Sequence, residues 1–489
     1  MLFNSHIFML LFLPLLLAGW YFLNWKKKFQ LAQGYLIGMS LWFYAYANLQ
    51  YLWLLLFSCL IGWLLSCLPE KIFSEKGKKV LTGVGCVFHL GLLGYFKYSN
   101  FFLENLNTVF HTDFPMLQIL LPVGISFYTF QQLAYLIDRC RGDAPRDSFF
   151  DYLTFMVYFP QLLQGPILLR SEFMGQLKEP ERRRFHAERF SEGIQFFVFG
   201  LAKKVLLADT LAKAVNYGYS NVSMLDSISA LLLAVGYLTE LYFDFSGYCD
   251  MAVGLGKMIG LEVAENFDAP FHSASVKEFW RRWHMTLGRF FTRYVYIPLG
   301  GNRRGKMRTL CNVMIVMLLS GLWHGAAWTF VLWGFLHGVG MIWDNLEHPH
   351  LPKKWMRQAA TFAYVCMTFV FFRAESIAQG FDVLKSIVSL KWNDFVFQMA
   401  SALDMTEFYM ITKALSMKLP GLLSWFWLGI FVVLIAICFR VLSGEKVSGV
   451  VALQRQKGYG RLYPVLLAVL FTWSMISMTG VSEYLYFSF

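Results

Sequence analysis

LCNVMIVMLLSGLWHGAAWTFVLWGFLHGVGMIW (310–343) contains no Lys, Arg, Asp or Glu. Its ionisable groups are His324, His337 and Cys311. An ionisable side chain at membrane depth is costly and is usually kept for chemistry or transport. An imidazole gives and takes a proton near neutral pH. The stretch is too long for one straight crossing, and Gly321 and Gly325 flank His324. If a helix starts near Thr309, His324 lies 15 residues further on. That is roughly 22 Å into a hydrocarbon core about 30 Å thick. A helix break at the glycines predicts freed backbone N–H groups able to polarise a carbonyl or hold an oxyanion. A buried histidine bonded to a carbonyl fits the same letters, and this stretch alone leaves both readings open.

The rest of the 489 residues supports a membrane setting. The chain is 57% hydrophobic and only 15% charged, where soluble domains carry about 25% charged residues. Apolar runs recur at roughly 7–24, 31–68 (two spans), 79–96, 117–137, 150–168, 193–208, 228–243, 310–343, 359–372, 421–439 and 463–480. The expected fold is therefore an all-α polytopic membrane protein. Pro122, Pro160 and Gly165–Pro166 interrupt these runs. Irregular backbone at membrane depth is tolerated where protein buries it or a cavity adjoins it, so re-entrant segments are expected. The net charge of +12 comes from Lys and Arg placed between apolar runs. That is the pattern of cytoplasmic loops rather than of a nucleic-acid binder. The eight cysteines are scattered without a close pair, which excludes a disulfide framework or a zinc site. No metal is expected. The first run, 7–24, is followed by Lys26, Lys27 and Lys28 rather than preceded by charge. It reads as a first transmembrane helix with an outside N-terminus, not a signal peptide.

Two segments stand apart. Residues 170–189 hold six Lys or Arg and four Glu and read as a hydrated cytoplasmic loop. Residues 277–308 hold nine Lys or Arg against one Glu. Val276, Phe279, Trp280, Trp283, Leu287, Phe290, Phe291 and Tyr294 recur there at helical spacing, with Lys277, Arg281, Arg282, Arg289 and Arg293 opposite. This predicts an amphipathic helix at the membrane interface, with His284 on or beside its apolar face. An interfacial histidine explains His284 as well as a functional one does. His337, about 220° round a helix from His324, is expected to be structural. Asp244, Ser246, Tyr248 and Asp250 sit in YFDFSGYCDMAVGLG. Their spacing alone suits cation binding, histidine orientation or helix capping, and the strand–elbow–helix context of a serine hydrolase is missing. The basic loop 440–461 places the tail VSEYLYFSF outside as well.

FWRRWH (279–284), YIPLGGNRRG (296–305) and GLWHGAAWTFVLWGFLHG (321–338) together resemble the core of the membrane-bound O-acyltransferases. The likeness is greatest to the bacterial polysaccharide O-acetyltransferase branch, typified by the alginate O-acetylation membrane protein. LLPVGISFYTFQQLAYLID (120–138), YFPQLLQGPILLRSEF (158–173), DFSGYCDMAVGLG (244–256), ENFDAPF (265–271), FVFFRAES (369–376) and YLYFSF (484–489) follow it in order. One departure is Thr292-Arg293, where the branch carries an Arg-Asp pair before the tyrosine of YxYIPLGG.

The resemblance implies a single transmembrane domain over 1–489: N-terminal spans over 1–110, a catalytic core over about 115–345 and C-terminal spans over 355–489. Within it lies a helical bundle crossed by a central tunnel. It implies His324 and His284 as the catalytic pair. Arg281, Arg282, Trp283, Trp323, Asp250 and Asn266 become donor- or substrate-binding candidates, and Tyr486 a candidate acyl carrier. The implied reaction moves an acetyl group from a cytoplasmic thioester, with acetyl-CoA as donor substrate and no bound cofactor, to O-acetylation of an alginate-like exopolysaccharide outside. Peptidoglycan acetylation and D-alanyl transfer to a cell-wall polymer are the nearest alternatives. The expected partners are membrane lipids, an extracytoplasmic SGNH-type acetyltransferase and the polysaccharide, and the expected location is the bacterial inner membrane. From other classes, a lipid-linked sugar flippase would move substrate without turning over a thioester. A recruiting scaffold would not need His324.

Overall fold

The computed structural model describes residues 1–489 except 48, 68–74, 347–352, 443–445, 459, 461, 479–483 and 486–489. Every regular element among the described residues is a helix. Six of these are long and apolar enough to cross a membrane: Phe8–Trp25, Leu49–Cys67, Lys76–Phe110, Ser227–Ile259, Lys306–His324 and Pro420–Val441. The remaining apolar runs form helices that are shorter, broken or less apolar, Phe29–Ala47 and Lys354–Arg373 being unbroken ones.

Ser227–Ile259 is the axis of the bundle. Its 33 residues span roughly 50 Å at 1.5 Å each, and 78% of its apolar window is buried. Asp226 starts it with a capping box to Ser229, and Gly260 ends it at φ +81°. It carries Glu240, Asp244 and Asp250. Ala187–Ala202 packs against it, antiparallel, along a seam of four glycines. A Cβ on Gly193 would lie 2.6 Å from Gly254 O, and one on Gly254 would lie 2.5 Å from Gly193 O. One turn-pair along, a Cβ on Gly200 would lie 2.5 Å from Gly247 O, and one on Gly247 2.7 Å from Gly200 O. Backbones meet directly here, as small residues permit inside membranes.

The break predicted in 310–343 is present. Lys306–His324 ends at the histidine, and Trp328–Asn345 begins after a short linker. The two helices fold back on each other. A Cβ on Gly321 would lie 2.3 Å from Phe330 O, and one on Gly334 2.4 Å from Met317 O. Gly321 therefore serves the close approach of the hairpin and not only the break.

The 150–168 run is interrupted as expected. Phe149–Val157 stops at Tyr158, a single turn follows over Phe159–Leu162, and irregular chain continues to Leu169. Nearly all of it is buried. Gly165 has room only for hydrogen, since a Cβ would lie 2.2 Å from Pro160 O. Asp147 and Arg170 close the two ends through a two-point ion pair. That hydrogen bonding raises the Arg170 guanidinium above its ordinary pKa.

The amphipathic segment departs from expectation. It is not one interfacial helix but two short ones, Val276–Arg282 and Met285–Phe291, separated by Trp283 and His284. His284 adopts φ +45°, a left-handed conformation that non-glycine residues rarely take. The aromatic side faces protein rather than lipid: Phe279, Trp283 and Leu287 are each at most 2% exposed. The helical period ran unbroken through a position where tertiary hydrogen bonds win.

Candidate active site

Two histidines meet inside the bundle. The His284 and His324 ring centroids are 6.4 Å apart, and the two side chains are almost fully buried. The turn at His284 is held by Asn266. Asn266 Oδ1 accepts the Thr286 backbone N–H at 3.0 Å and the Thr286 hydroxyl at 3.0 Å. Met285 N–H donates to the Asn266 carbonyl at 3.0 Å. His284 Nδ1 lies 3.3 Å from the same Oδ1. That oxygen already accepts two donors, so Nδ1 must carry the proton and Nε2 is the basic nitrogen of the neutral ring. Thr286 Oγ1 also accepts the Ile167 N–H at 3.0 Å. Arg289 pairs with Glu172 and donates to Ile167 O at 3.0 Å. The buried 158–169 segment and the His284 turn thus brace each other.

Removing Asn266 should be felt at the reaction centre. Asn266→Ala leaves the Thr286 N–H and His284 Nδ1–H without their acceptor, a cost of about 1–3 kcal/mol per buried group. We expect a folded protein with transfer reduced about 5- to 150-fold, the rate equivalent of one such group, that of His284 Nδ1–H, measured as turnover per folded molecule. Wild-type turnover would show that the His284 turn needs no such support.

His324 is the last residue of its helix, so carbonyls of the last turn are freed beside it, while the helix that starts at Trp328 opens with the N–H groups that such a break was expected to free. The carbonyls are capped from the Lys76–Phe110 span. Lys97 Nζ donates to Trp323 O at 2.7 Å and His324 O at 2.9 Å, and lies 3.5 Å from Ser126 Oγ. The Tyr98 hydroxyl donates to Leu322 O at 2.5 Å. The imidazole sits edge-on to Trp333 at 5.1 Å and Phe372 at 5.2 Å, with Trp323 at 4.9 Å. His337 is structural. Trp280 Nε1–H donates to its Nδ1 at 3.2 Å. The Thr368 hydroxyl donates to Val365 O, so it receives His337 Nε2–H at 2.9 Å.

Three cavities lie in this part of the bundle, of which the second is lined by His324 itself. One of about 340 Å³ is bordered by Asn266, Asp250, Lys203, Ser246 and Lys446. One of about 50 Å³ lies against His324, Trp323, Lys97 and Ser126. One of about 540 Å³ is bordered by Lys204, Glu240, Asp244, Thr329 and Phe372. Along the Ser227–Ile259 helix, Asp244 and Asp250 face different cavities about 9 Å apart in rise.

The other candidates divide. Trp323 joins the pair, 6.0 Å from His284. Asn266 supports it. Asp250 shares the 340 Å³ cavity with Asn266 but is ion-paired to Lys203 at 2.6 Å. Trp283 packs in the core with Phe279 and Phe267. Arg282 is tied to Glu278 at 2.9 Å and Asp268 O at 3.3 Å, and Arg281 is exposed. Tyr486 lies outside the described residues. Thr292-Arg293 does not cost the segment its ion pair. Arg293 reaches Asp138 at 3.0 Å and Asp143 at 2.9 Å on a different stretch of chain. Sequence reasoning missed Lys97, Tyr98, Lys203 and Lys204. The available signal was Lys97 directly after the 79–96 run and Lys203 and Lys204 inside the 193–208 run.

A family model described as MBOAT, membrane-bound O-acyltransferase family, matches residues 141–375. A peptidoglycan O-acetyltransferase of Helicobacter pylori is 35% identical over 423 residues, 80% of each chain. A probable alginate O-acetylase of Azotobacter vinelandii is 39% identical over 389 residues, 77% of this chain and 76% of that one. A teichoic acid D-alanyltransferase of Streptococcus thermophilus is 28% identical over 253 residues, 49% of this chain and 58% of that one.

Proposed function

The chain belongs to the membrane-bound O-acyltransferase family, and from that premise we propose that it takes an acetyl group from a cytoplasmic thioester for O-acetylation of a polysaccharide outside the membrane. It is a multi-pass membrane acyltransferase; the acetyl donor, the acceptor and the direction are this proposal. The carrying observation is the buried His284–His324 pair, with a cavity against His324 and another against Asn266, the residue that holds the His284 turn.

Acetyl-CoA is the favoured donor. Basic loops belong on the cytoplasmic side, and the Lys and Arg of 277–308 suit its phosphates. The 340 Å³ cavity, with Lys203 and Lys446 on its wall, leads to Asn266 and the His284 turn. His324 acts as general base. It takes the proton of an acceptor hydroxyl, whose oxygen attacks the thioester carbonyl. The C–S bond then breaks, and the leaving thiolate takes the proton back from the imidazolium. His284, with Nε2 basic, orients the acceptor or shares the proton. Tyr486 is proposed as an acyl carrier on the outer side, handing the group to an SGNH-type partner or to the polymer. Acetyl is preferred over D-alanyl because relatives named for acetyl transfer match over more of the chain and at higher identity. An alginate-like exopolysaccharide is the first acceptor to test, and peptidoglycan the second.

The test is covalent turnover. Protein in lipid nanodiscs is given acetyl-CoA labelled in the acetyl group together with glycan oligomers, with and without the secreted acetyltransferase. Acceptor-dependent release of free CoA with label on glycan supports the reading. Substrate movement with the thioester intact would replace it with transport.

A further inference from the structure

Two residues near the end of the chain are held inside the bundle by a buried ion pair. Lys203 and Lys204 are consecutive in a π-helical stretch, Lys203–Ala208, that continues Ala187–Ala202. Widened turns of this kind are frequent at functional sites. Lys203 pairs with Asp250, whereas Lys204 pairs with Asp244 at 2.7 Å and Asp209 at 2.8 Å. Asp244 divides its two oxygens. Oδ1 accepts the Lys204 ammonium, and Oδ2 accepts the Leu485 backbone N–H at 3.0 Å. A hydrogen bond to a carboxylate is roughly twice as strong as a neutral one. Lys204 Nζ also lies 4.7 Å from the centre of the Tyr484 ring, a cation–π contact. Tyr484 is fully buried and edge-on to Tyr248 at 5.1 Å. Lys204, Asp244, Tyr484 and Leu485 border the 540 Å³ cavity together with Phe372. Phe372 is the ring that meets His324 at 5.2 Å, so the cavity that receives the tail shares a wall with the reacting histidine.

We propose that Asp244, oriented by Lys204, is a positioning residue for the C-terminal tail: it grips the main chain at Leu485 and so sets where the following residue, Tyr486, can meet the transferred group. This rests on the carrier role proposed for Tyr486 above and adds what holds the tail. A grip on a backbone N–H engages no side chain of the tail. Burying two charges at membrane depth is costly, and a brace between helices does not require them, since well-packed apolar residues replace many buried ion pairs without loss of stability. A carboxylate with one oxygen for a lysine and one for a chain end does require them. The amide of an asparagine has a single oxygen and cannot accept from both donors.

The experiment measures the grip and the transfer separately, on the full chain in nanodiscs. Carboxypeptidase trims the tail, followed by intact mass, and labelled acetyl-CoA reports transfer. Lys204→Met alone would leave the Asp244 charge buried and unpaired, so it is combined with Asp244→Leu. Asp209 then remains, with a side chain 25% exposed and open to water. Asp244→Asn, which keeps the shape, is the second variant, and either one that folds decides the question. In wild type, trimming should stall before Leu485. In the folded variant, removal of Leu485 and Tyr484 should be about 10- to 150-fold faster, the range for losing one hydrogen bond to a charged group. Transfer should fall by a comparable factor, with the unfolding temperature near that of wild type. Trimming and transfer both unchanged overturn the grip. Transfer falling while trimming is unchanged overturns it too, leaving the ion pair as a brace between helices. Faster trimming with wild-type transfer shows a held tail whose position is not used, and overturns the positioning role. Wild type that consumes no thioester overturns the transfer reading and the positioning role with it, while faster trimming in the variants would still establish the grip.

Discussion

His324→Ala should lower acyl transfer by about 10²- to 10⁴-fold, the usual contribution of a positioned general base, or about 3–5.5 kcal/mol of barrier. The His324 ring fills space among Trp323, Trp333 and Phe372, so alanine also opens a small void. A destabilised protein and a disarmed one must therefore be separated. His337 supplies the comparison. It is equally buried, but both its nitrogens are spent on Trp280 and Thr368. His337→Gln should cost on the order of 1 kcal/mol of stability for a hydrogen bond lost and leave turnover per folded molecule near wild type. His324→Gln keeps much of the ring's volume, so its loss should match that of alanine if basicity is what matters. Folded His324→Ala working at near-normal rate would remove His324 from the mechanism. A scaffold role predicts that same result for polymer acetylation in cells, measured by mass analysis of the surface glycan. Loss of turnover in both His324 variants, with His337→Gln active, would exclude it.

How the histidines come to be neighbours was only partly legible in the letters. The membrane setting followed from composition and run lengths, because the bilayer imposes one solvent on every span. The break at His324 followed from glycines in a run too long for one crossing. What holds the break did not, since Lys97 lies 227 residues away in sequence and nothing local marks it as a cap. His284 shows the reverse failure. Its segment has a clean helical period, yet Asn266 captures the Thr286 N–H and turns the chain into a left-handed residue. Periodicity reports which side chains are buried, and on that point it was right for Phe279, Trp283 and Leu287. It does not report whether the backbone between them is continuous. The family resemblance carried both histidines into the site. Physical reading of either one alone left a structural role equally open.

The four-glycine seam should make the same substitution act with opposite sign at different places. Gly247→Ala puts a methyl 2.7 Å from Gly200 O, and Gly254→Ala puts one 2.5 Å from Gly193 O. The obstacle in each case is a main-chain carbonyl, not a side chain free to swing away. Two long helices must separate, and overpacking of this kind costs about 1–3 kcal/mol or more. Gly83 lies in the Glu75–Leu93 helix with open space where its Cβ would go. Gly83→Ala should be neutral or stabilising by about 0.5–1 kcal/mol, since glycine is the poorer helix former. The seam also sets function. It fixes the register that brings Lys203 to Asp250 at 2.6 Å and Lys204 to Asp244 at 2.7 Å, and those pairs border the two large cavities. Separating the helices leaves buried charges imperfectly matched, which is more costly than lost apolar contact. Thermal unfolding in detergent should therefore show Gly247→Ala and Gly254→Ala several degrees below wild type and Gly83→Ala at or above it. Transfer activity should fall in the seam variants even below their unfolding temperature. If Gly247→Ala unfolds with wild type and keeps full activity, the helices are not held at backbone contact, and the positions of Asp244 and Asp250 need another cause.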